Sequence, residues 1–291
     1  MDLRSLGNTD LIWMEKEALP YVPYFIERAM MPASVPCIVD YDDAIFHNYD
    51  LSKKWLIRRL LSKKIDQVMG KAAVVVCGNS YLAERALGAG AKKVEIVPTV
   101  VDLKRYSANH LKPKGDEIII GWIGSPSTQH YLLQYRDALS AVCAQAKARL
   151  MLIGAHPDFA KELGSIPVTI VPWSEETEVQ AISGFDIGIM PLPDEPWERG
   201  KCGYKLIQYM ACGKAVVASP VGVNTEIVER SQSGFLARNI EEWRAALYTL
   251  VSDNELRIEM GMRGHDSVEC HYSLDVQSKK IVEILRQFAD R

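Results

Sequence analysis

The sequence lacks paired cysteines, a long apolar run and an excess of charge of one sign, and each absence narrows the class of protein. None of its six cysteines forms a Cys-x-x-Cys pair, so neither a disulfide framework nor a zinc finger is expected. No run approaches the roughly 20 apolar residues of a membrane span, and the start lacks the order of a signal peptide. The net charge of −3 gives no general attraction to nucleic acid. We expect a cytoplasmic protein with reduced thiols.

Short apolar runs alternate with helical patterns along the 291 residues. In the first third, four apolar runs predict buried strands, at 11–14, 37–41, 73–77 and 94–98. Helices are expected at 51–69 and 80–87. This order is typical of βαβ units. We expect a first domain over 1–108, followed by a connection at 107–116 that contains Lys, Gly, Asn and Pro.

The same alternation is cleaner from 117 to 273. Strands are predicted at 118–123, 149–154, 168–171, 187–190, 215–218 and 234–237. Helices are expected to about 148, from about 175 and at 204–211, and amphipathic helices at 241–251, 255–270 and 274–288. We expect a second domain over 117–273 and a C-terminal helix in 274–291 that can pack back on the first domain. The fold class is therefore α/β, with two Rossmann-like, doubly wound domains.

Residues 197–228 have the pattern of a phosphate site. A basic loop with Arg199, Lys201 and Gly203 runs into the predicted helix 204–211. The first N–H groups of that helix and the positive end of its dipole would face the loop. The strand at 215–218 brings a second loop to the same rim of a parallel sheet, where α/β proteins bind ligands. An anion is therefore expected there.

Six stretches of the second domain resemble, in order and spacing, the donor-binding half of retaining, nucleotide-sugar-dependent glycosyltransferases of the GT-B fold (glycosyltransferase group 1, family 4-like). They are GWIGSPST (121–128), LMLIGAH (150–156), VTIVPWSEE (168–176), DIGIMPLP (186–193), KLIQYMACGKAVVASPVGVNTEIV (205–228) and SGFLA (233–237). The similarity covers nearly all of 117–270, and 74–107 resembles the end of the family's first domain. The chain enters at what corresponds to the middle of that domain, so the resemblance implies a first domain without its opening strands.

The resemblance implies transfer of a sugar, with retention of configuration, from a nucleotide-diphosphate sugar to a glycan, a lipid-linked acceptor or a small molecule. It implies no required cofactor and no metal. One alternative is a non-catalytic sugar-nucleotide-binding or interaction subunit, completed by a partner chain or a second copy. A phosphatase is a weaker alternative, which depends on an aspartate-rich loop alone.

The sequence departs from the family pattern where two glutamates usually contact the donor, because Gly200 and Gln208 stand there. The Arg and Lys that usually hold the diphosphate are replaced by Trp122 and a Ser-Pro-Ser-Thr turn. Our hypothesis is that Lys201 and Lys205 take over this catalytic role by neutralising the leaving diphosphate. The alternative is a solvated basic loop.

Further donor contacts are expected on the strand-end loops and on the first turn of helix 204–211. The donor-binding candidates are Gly124, Ser125, Ser127, Thr128, Trp173, Arg199, Gly203, Tyr204, Gln208, Asn224 and Glu226. Trp173 would flank the base, although a half-buried core indole is an equal alternative. Glu226 is more simply a carboxylate that complements a helix dipole.

An acidic turn follows the predicted strand 37–41. Asp42 and Asp43 would position an acceptor hydroxyl, as the strand end does in the family. Three carboxylates so close, with Asp40, also permit a metal site, because they repel one another unless cations or hydrogen-bond donors meet them. An acidic turn that caps the next segment is a third interpretation.

Basic side chains cluster on the predicted helix 51–69 and just beyond it. They are Lys53, Lys54, Arg58, Arg59, Lys63, Lys64 and Lys71, and the apolar residues between them fall at helical spacing. One interpretation is a core helix with a solvated basic face. The other is peripheral contact with anionic lipid through 53–71, at the inner face of the membrane.

Overall fold

The computed structural model describes residues 9–106 and 117–289, so the expected connection at 107–116 lies outside them. The chain divides into two compact units. The first takes in the described parts of 1–99, 194–202 and 277–291, and the second those of 100–193 and 203–276. Each unit contains a parallel sheet, of four and of six strands. The domain limits at 108, 117 and 273 stay predictions.

The first unit begins with a run of strands and helices that form its sheet. In chain order they are β1 (Ile12–Glu15), α1 (Tyr24–Met30), β2 (Cys37–Tyr41), α2 (His47–Asp50), α3 (Trp55–Leu61), α4 (Lys64–Lys71), β3 (Val74–Cys77), α5 (Ser80–Gly88) and β4 (Val94–Ile96). The strands lie in the order β1-β2-β3-β4, and all pairs are parallel. Sequential order with parallel pairing is what consecutive βαβ units produce.

The rest of the chain supplies the second sheet and the closing helices. In chain order the elements are β5 (Ile118–Ile123), α6 (Arg136–Gln145), β6 (Ala148–Ile153), β7 (Val168–Val171), α7 (Glu178–Ser183), β8 (Ile187–Met190), α8 (Pro196–Arg199), α9 (Tyr204–Ala211), β9 (Ala215–Ala218), α10 (Val223–Ser231), β10 (Gly234–Leu236), α11 (Ile240–Ser252), α12 (Asn254–His271) and α13 (Leu274–Ala289). Apolar side chains form a core on each face of both sheets. Burial on both faces explains why the strands read as continuous apolar runs.

Helix α13 covers one face of the first sheet. Its Ile284 and Phe288 lie in a core cluster with Ile38 of β2 and with Val74 and Val76 of β3. The alternate residues of β3, such as Val75, lie in the cluster on the other face, as the two-residue period of a strand requires. Helix α13 therefore supplies part of the first unit's core although it ends the described chain.

Two predicted helices were wrong in extent. The helix expected over 51–69 is broken at Ser62 and Lys63 into α3 and α4. The helix expected to about 148 is present as α6 but ends at Gln145, and a 3₁₀ segment, Gln129–Tyr135, precedes it. The helix expected from about 175 begins at Glu178. Among the described residues, no helix combines the length and the apolar character needed to cross a membrane.

A buried cluster of charges ties the segment after β1 to helix α4. The Lys64 ammonium, whose side chain is 1% exposed, bonds to the Glu17 carboxylate and lies 3.2 Å from Glu27 Oε2. Tyr49 donates its hydroxyl to Glu17 Oε1 at 2.6 Å, and the Glu27 carboxylate accepts the N–H of Ala18 at 3.3 Å. Every charge in the cluster has a partner of opposite sign or a hydrogen bond, as burial requires.

Replacing Lys64 with Met is expected to destabilise the first unit by roughly 3–5 kcal/mol, because two buried carboxylates then lose their cation. Urea unfolding followed by circular dichroism measures the change. The matched control is Lys63→Met, at the neighbouring exposed position, which is expected to change the free energy of unfolding by less than about 0.5 kcal/mol. Equal effects of the two substitutions would contradict this account of the cluster.

Candidate functional site

In the second sheet, consecutive strands are added first on one side of β5 and then on the other. Its strands lie in the order β10-β9-β8-β5-β6-β7, so the chain builds outward from β5 through β6 to β7. It then returns to place β8 on the other side of β5. Because the loops that leave β5 and β8 run to opposite sides in such a topology, a crevice is expected at the carboxyl ends of these strands. Such a switch point is where doubly wound sheets bind ligands.

A short exposed turn, 124–128, leaves β5 at this crevice. The Ser125 and Ser127 hydroxyls are 2.7 Å apart, and Thr128 donates its hydroxyl to the Ser125 carbonyl at 3.2 Å. A Cβ atom at Gly124 would lie 2.3 Å from the ring of Trp122, so only glycine fits there. The turn contains the candidates Gly124, Ser125, Ser127 and Thr128, and it places hydroxyls and backbone N–H groups at the carboxyl end of β5. It carries no cation.

Helix α9 begins directly after the basic loop that is predicted to bind an anion. Gly203, which precedes it, has a left-handed backbone with φ of 70°, and a Cβ atom there would lie 2.4 Å from Ile227 Cδ1. Gly203 is therefore required for both its conformation and its close approach to α10. The first helical residue is the predicted Tyr204, and the first turn of α9 contains no acidic residue. The N-terminal end of α9 is thus suited to an anion.

Lys205 lies near the turn after β5. Its ammonium is 5.9 Å from the centre of the Trp122 ring, and Trp122 is the indole against which Gly124 packs. Trp122 itself is 1% exposed, so it supplies a wall and not a ligand. Within the second unit, the arrangement brings together the residues predicted on β5 and the cation predicted on α9.

Gln208 is part of a buried polar network that sequence reasoning did not find. The Gln208 side chain donates its amide to the Tyr106 hydroxyl at 2.8 Å, and Tyr106 donates to Glu178 Oε1 at 2.7 Å. The Trp173 indole N–H donates to the other oxygen of Glu178 at 2.9 Å. Burial, together with the bond to Glu178, raises the pKa of Tyr106. At least one donor of Gln208 is therefore occupied within the protein.

The sequence held one signal for this network. Glu178 and Ile182 are four residues apart on α7, and both are buried. A carboxylate on the buried stripe of a short helix requires a partner. The fold of the whole unit is needed to identify Tyr106 and Trp173 as the partners of Glu178.

Trp173 lies at the mouth of an apolar cavity. Trp173 is 54% exposed. The alternative of a half-buried core indole therefore fits only the N–H edge of its ring, which bonds to Glu178. The cavity has a volume of about 530 Å³ and is lined by Gly154, Ala155, Pro157, Ala160, Val168, Ile170, Pro172 and Trp173. These residues lie on β7 and on the segments that follow β6 and β7. The cavity therefore runs along β7 to the loop that carries Trp173.

The two candidates on α10 have different surroundings. Asn224 is 1% exposed and donates its amide to the Ser219 carbonyl at 3.2 Å, which holds the loop after β9. Glu226 is exposed in the first turn of α10, where its carboxylate accepts from Arg230 at 2.7 Å. This geometry agrees with the simpler interpretation of Glu226 as a helix-start carboxylate.

The remaining candidates belong to the first unit. Arg199 pairs with Asp194 at 2.7 Å, and Lys201 lies 3.9 Å from Asp43. The side chain of Asn79 donates to the carbonyl oxygens of Gly200 and Lys201 at 2.9 and 3.1 Å. This segment is therefore held against the strand ends of the first sheet.

The acidic turn after β2 is paired with lysine side chains of the first unit. Asp42 pairs with Lys16 at 3.0 Å, and Asp43 faces Lys201. In the parts of the chain that the structure describes, no three His, Cys, Asp or Glu side chains are grouped so that they could hold a metal ion. The pKa of Asp40 is raised to about 6, mainly by burial and then by the nearby charges of Asp42 and Glu15.

Because folding raises the pKa of Asp40, its contribution to stability is present at low pH and is lost as pH rises from about 4 through 6. The Asp40→Asn variant is therefore expected to be more stable than the native protein at pH 7.5, and this advantage should shrink towards pH 4. Urea unfolding at four pH values measures the difference. Parallel pH profiles for the two proteins would show that Asp40 does not titrate in this range.

Comparison with known proteins relates the second unit to sugar-transferring enzymes. Residues 117–253 match the model of the family described as glycosyl transferases group 1. The putative teichuronic acid biosynthesis glycosyltransferase TuaH of Bacillus subtilis (strain 168) is 25% identical over 203 residues, which are 63% of this chain and 48% of that protein. The chain thus spans about half the length of this curated relative.

Solved structures share the fold. Sucrose-phosphate synthase from Thermosynechococcus elongatus has a TM-score of 0.72 and 17% identity, covering 98% of this chain and 75% of its own. HepE of Anabaena, solved in complex with UDP-glucose, has a TM-score of 0.66 and 18% identity, covering 90% of this chain and 74% of its own. These similarities confirm the predicted architecture of two parallel α/β sheets, the first of them smaller.

The family match and the shared fold agree with the resemblance that the six sequence stretches carry. The chain has a GT-B-like fold, and its residues 117–253 match the group 1 glycosyltransferases.

Proposed function

We propose that this protein transfers a sugar from a nucleotide-diphosphate sugar to a hydroxyl of a glycan, a lipid-linked acceptor or a small molecule, with retention of configuration. The observation that carries the proposal is the switch point between the ends of β5 and β8, within residues that match the group 1 family. The turn after β5 and the first turn of α9 flank it. UDP-glucose bound to HepE and the teichuronic acid role in the name of TuaH support a sugar-nucleotide donor and a cell-envelope product.

The second unit offers a separate place for each part of such a donor. The apolar cavity beside Trp173 suits the flat base, which gains from stacking and from loss of water. Lys205, the N–H groups that begin α9 and the turn at Ser125 suit the diphosphate. Asn224, through its bond to Ser219, holds the loop after β9 in place.

In the proposed reaction the bond between the sugar's anomeric carbon and the diphosphate oxygen breaks, and the acceptor oxygen bonds to the same face of the sugar. Negative charge grows on the leaving diphosphate, where Lys205 of the second unit stabilises it. The acceptor's proton passes to a diphosphate oxygen, so the reaction needs no added base. We assign positioning of the acceptor hydroxyl to Asp42 and Asp43 of the first unit.

A second candidate function, binding of a sugar nucleotide without turnover, is favoured by the two positions that depart from the family pattern. A Cβ atom at Gly200 would lie 2.4 Å from Ala44 Cβ and 2.9 Å from Ala44 N, so this backbone excludes a glutamate. At the other position, Gln208 is uncharged, 2% exposed and bonded to Tyr106. Release of free sugar or transfer to an acceptor separates the two functions.

The donor proposal predicts that one class of UDP-, GDP-, ADP- or CDP-sugar raises the unfolding temperature. At about 100 times its dissociation constant, such a ligand stabilises the protein by roughly 2.7 kcal/mol. Lys205→Ala is expected to weaken this binding about 10- to 100-fold, the effect of losing one charged hydrogen bond. Lys147→Ala is the matched control, because Lys147 is exposed just before β6, at the opposite edge of the sheet. No stabilisation by any of the four classes would overturn the proposal.

The base-binding role of Trp173 has its own test. Trp173→Ala is expected to raise the dissociation constant of the preferred nucleoside diphosphate roughly three- to tenfold, because a stacked aromatic contact contributes about 0.5–1.5 kcal/mol. Trp173→Phe keeps a ring but removes the N–H that bonds Glu178, so it should recover most of the affinity. Isothermal titration calorimetry measures both variants. If Ala and Phe weaken binding equally, Trp173 acts through Glu178 and not through the base.

A further inference from the structure

The first unit carries a surface that the proposed reaction does not use. Helix α3 and the residues next to it expose four large apolar side chains, Leu51, Trp55, Leu56 and Leu60, which are 55%, 64%, 52% and 66% exposed. Five exposed cations lie among them: Lys53, Lys54, Arg58, Arg59 and Lys63. We call these nine residues the basic apolar surface. Large side chains this exposed are costly in water and indicate a contact surface.

The apolar side chains of α3 form two rows, one of them towards the core and the other exposed. Ile57 and Leu61 of α3 pack towards the core of the first unit. Leu56 and Leu60, four residues apart, form a separate exposed row on the same helix. The outward leucines are therefore not the core face of a longer helix, which was the simpler interpretation of the sequence pattern.

The charge on this surface has no internal compensation along the chain. No acidic residue occurs from 51 to 65. The flanking carboxylates of Asp50 and Asp66 pair with Arg85 at 3.1 and 2.6 Å. Lys64 is turned inward to Glu17 and Glu27 and takes no part. A chain of net charge −3 thus concentrates five exposed cations on one short segment.

We propose that the basic apolar surface docks on a membrane that contains anionic lipid, with α3 lying in the plane of the interface. Trp55 and the leucines enter the boundary between headgroups and acyl chains, while the lysines and arginines contact lipid phosphates. Tryptophan is itself enriched at this depth of a bilayer. A second copy of this chain fits poorly, because it would bring five cations against five others without compensation.

An acidic protein is the alternative partner for the basic apolar surface, and the experiment below distinguishes it from a membrane. Charge alone would suit it, but the apolar row next to the cations is what an interfacial helix requires. The surface holds the enzyme at an anionic membrane, whatever nucleotide the second unit takes. The inference therefore does not depend on the proposed function.

The test is sedimentation of the full chain with lipid vesicles. We expect it to pellet with vesicles of phosphatidylcholine containing 30% phosphatidylglycerol and to stay in solution with phosphatidylcholine alone. Replacing Lys54, Arg59 and Lys63 with Gln is expected to weaken the partition on the order of 100-fold, because each basic residue near such a surface contributes about fivefold. Adding 0.5 M NaCl should weaken native binding as well.

Apolar insertion is tested separately with Trp55→Ser combined with Leu60→Ser, which should lower the partition while the cations remain. Leu87→Ser on α5 is the matched control, since Leu87 is 61% exposed outside the basic apolar surface. All variants are first compared with the native chain by circular dichroism and thermal unfolding.

Equal recovery with neutral and anionic vesicles, or binding unchanged by the triple substitution, would overturn the proposal. Loss in the triple variant but not in the Trp55 and Leu60 variant would show purely electrostatic attraction, which an acidic protein would equally satisfy, and would also overturn it.

Discussion

Parallel strands bring all of their carboxyl ends to one edge of a sheet, and the candidate site depends on this constraint. Each strand of the second unit leaves the sheet at that edge, so residues far apart in the chain become neighbours. The turn after β5, the loops after β6 and β7 and the first turn of α9 are spread over roughly 80 residues of the chain. They meet only because no strand of this sheet runs backwards. The chemistry of the site is spread over the chain for the same reason.

Much of this arrangement could be predicted, because strands buried on both faces must be apolar throughout. The strands 187–190 and 215–218, and helix 204–211, occur with the predicted bounds. In helix 204–211 several signals coincide: a glycine at the start, a glycine after the end and apolar residues at helical spacing. Where propensity, pattern and turn chemistry agree, local sequence is sufficient.

Other features depend on contacts that local sequence does not contain. The apolar spacing continues through Ser62 and Lys63, so periodicity alone could not show that the helix breaks there. Just after the break, the side chain of Lys64 turns inward to Glu17, which is 47 residues away. Likewise, Tyr106 meets Glu178 across 72 residues, and a carboxylate on a helix looks solvated until its partner is known. Sequence reasoning therefore proposed the loops of the candidate site but missed the buried network of Tyr106, Glu178 and Gln208.

The return of the chain to β8 has a consequence for how the second unit assembles during synthesis. Strand β5 can pair with β6 soon after both have left the ribosome, but its other edge waits for β8, roughly 60 residues further on. At about 5–20 residues per second, that edge stays unpaired for several seconds. An apolar strand with open backbone groups is a template for wrong pairing. The same crossover that creates the switch point therefore leaves one edge of the nascent sheet open to wrong pairing during this interval.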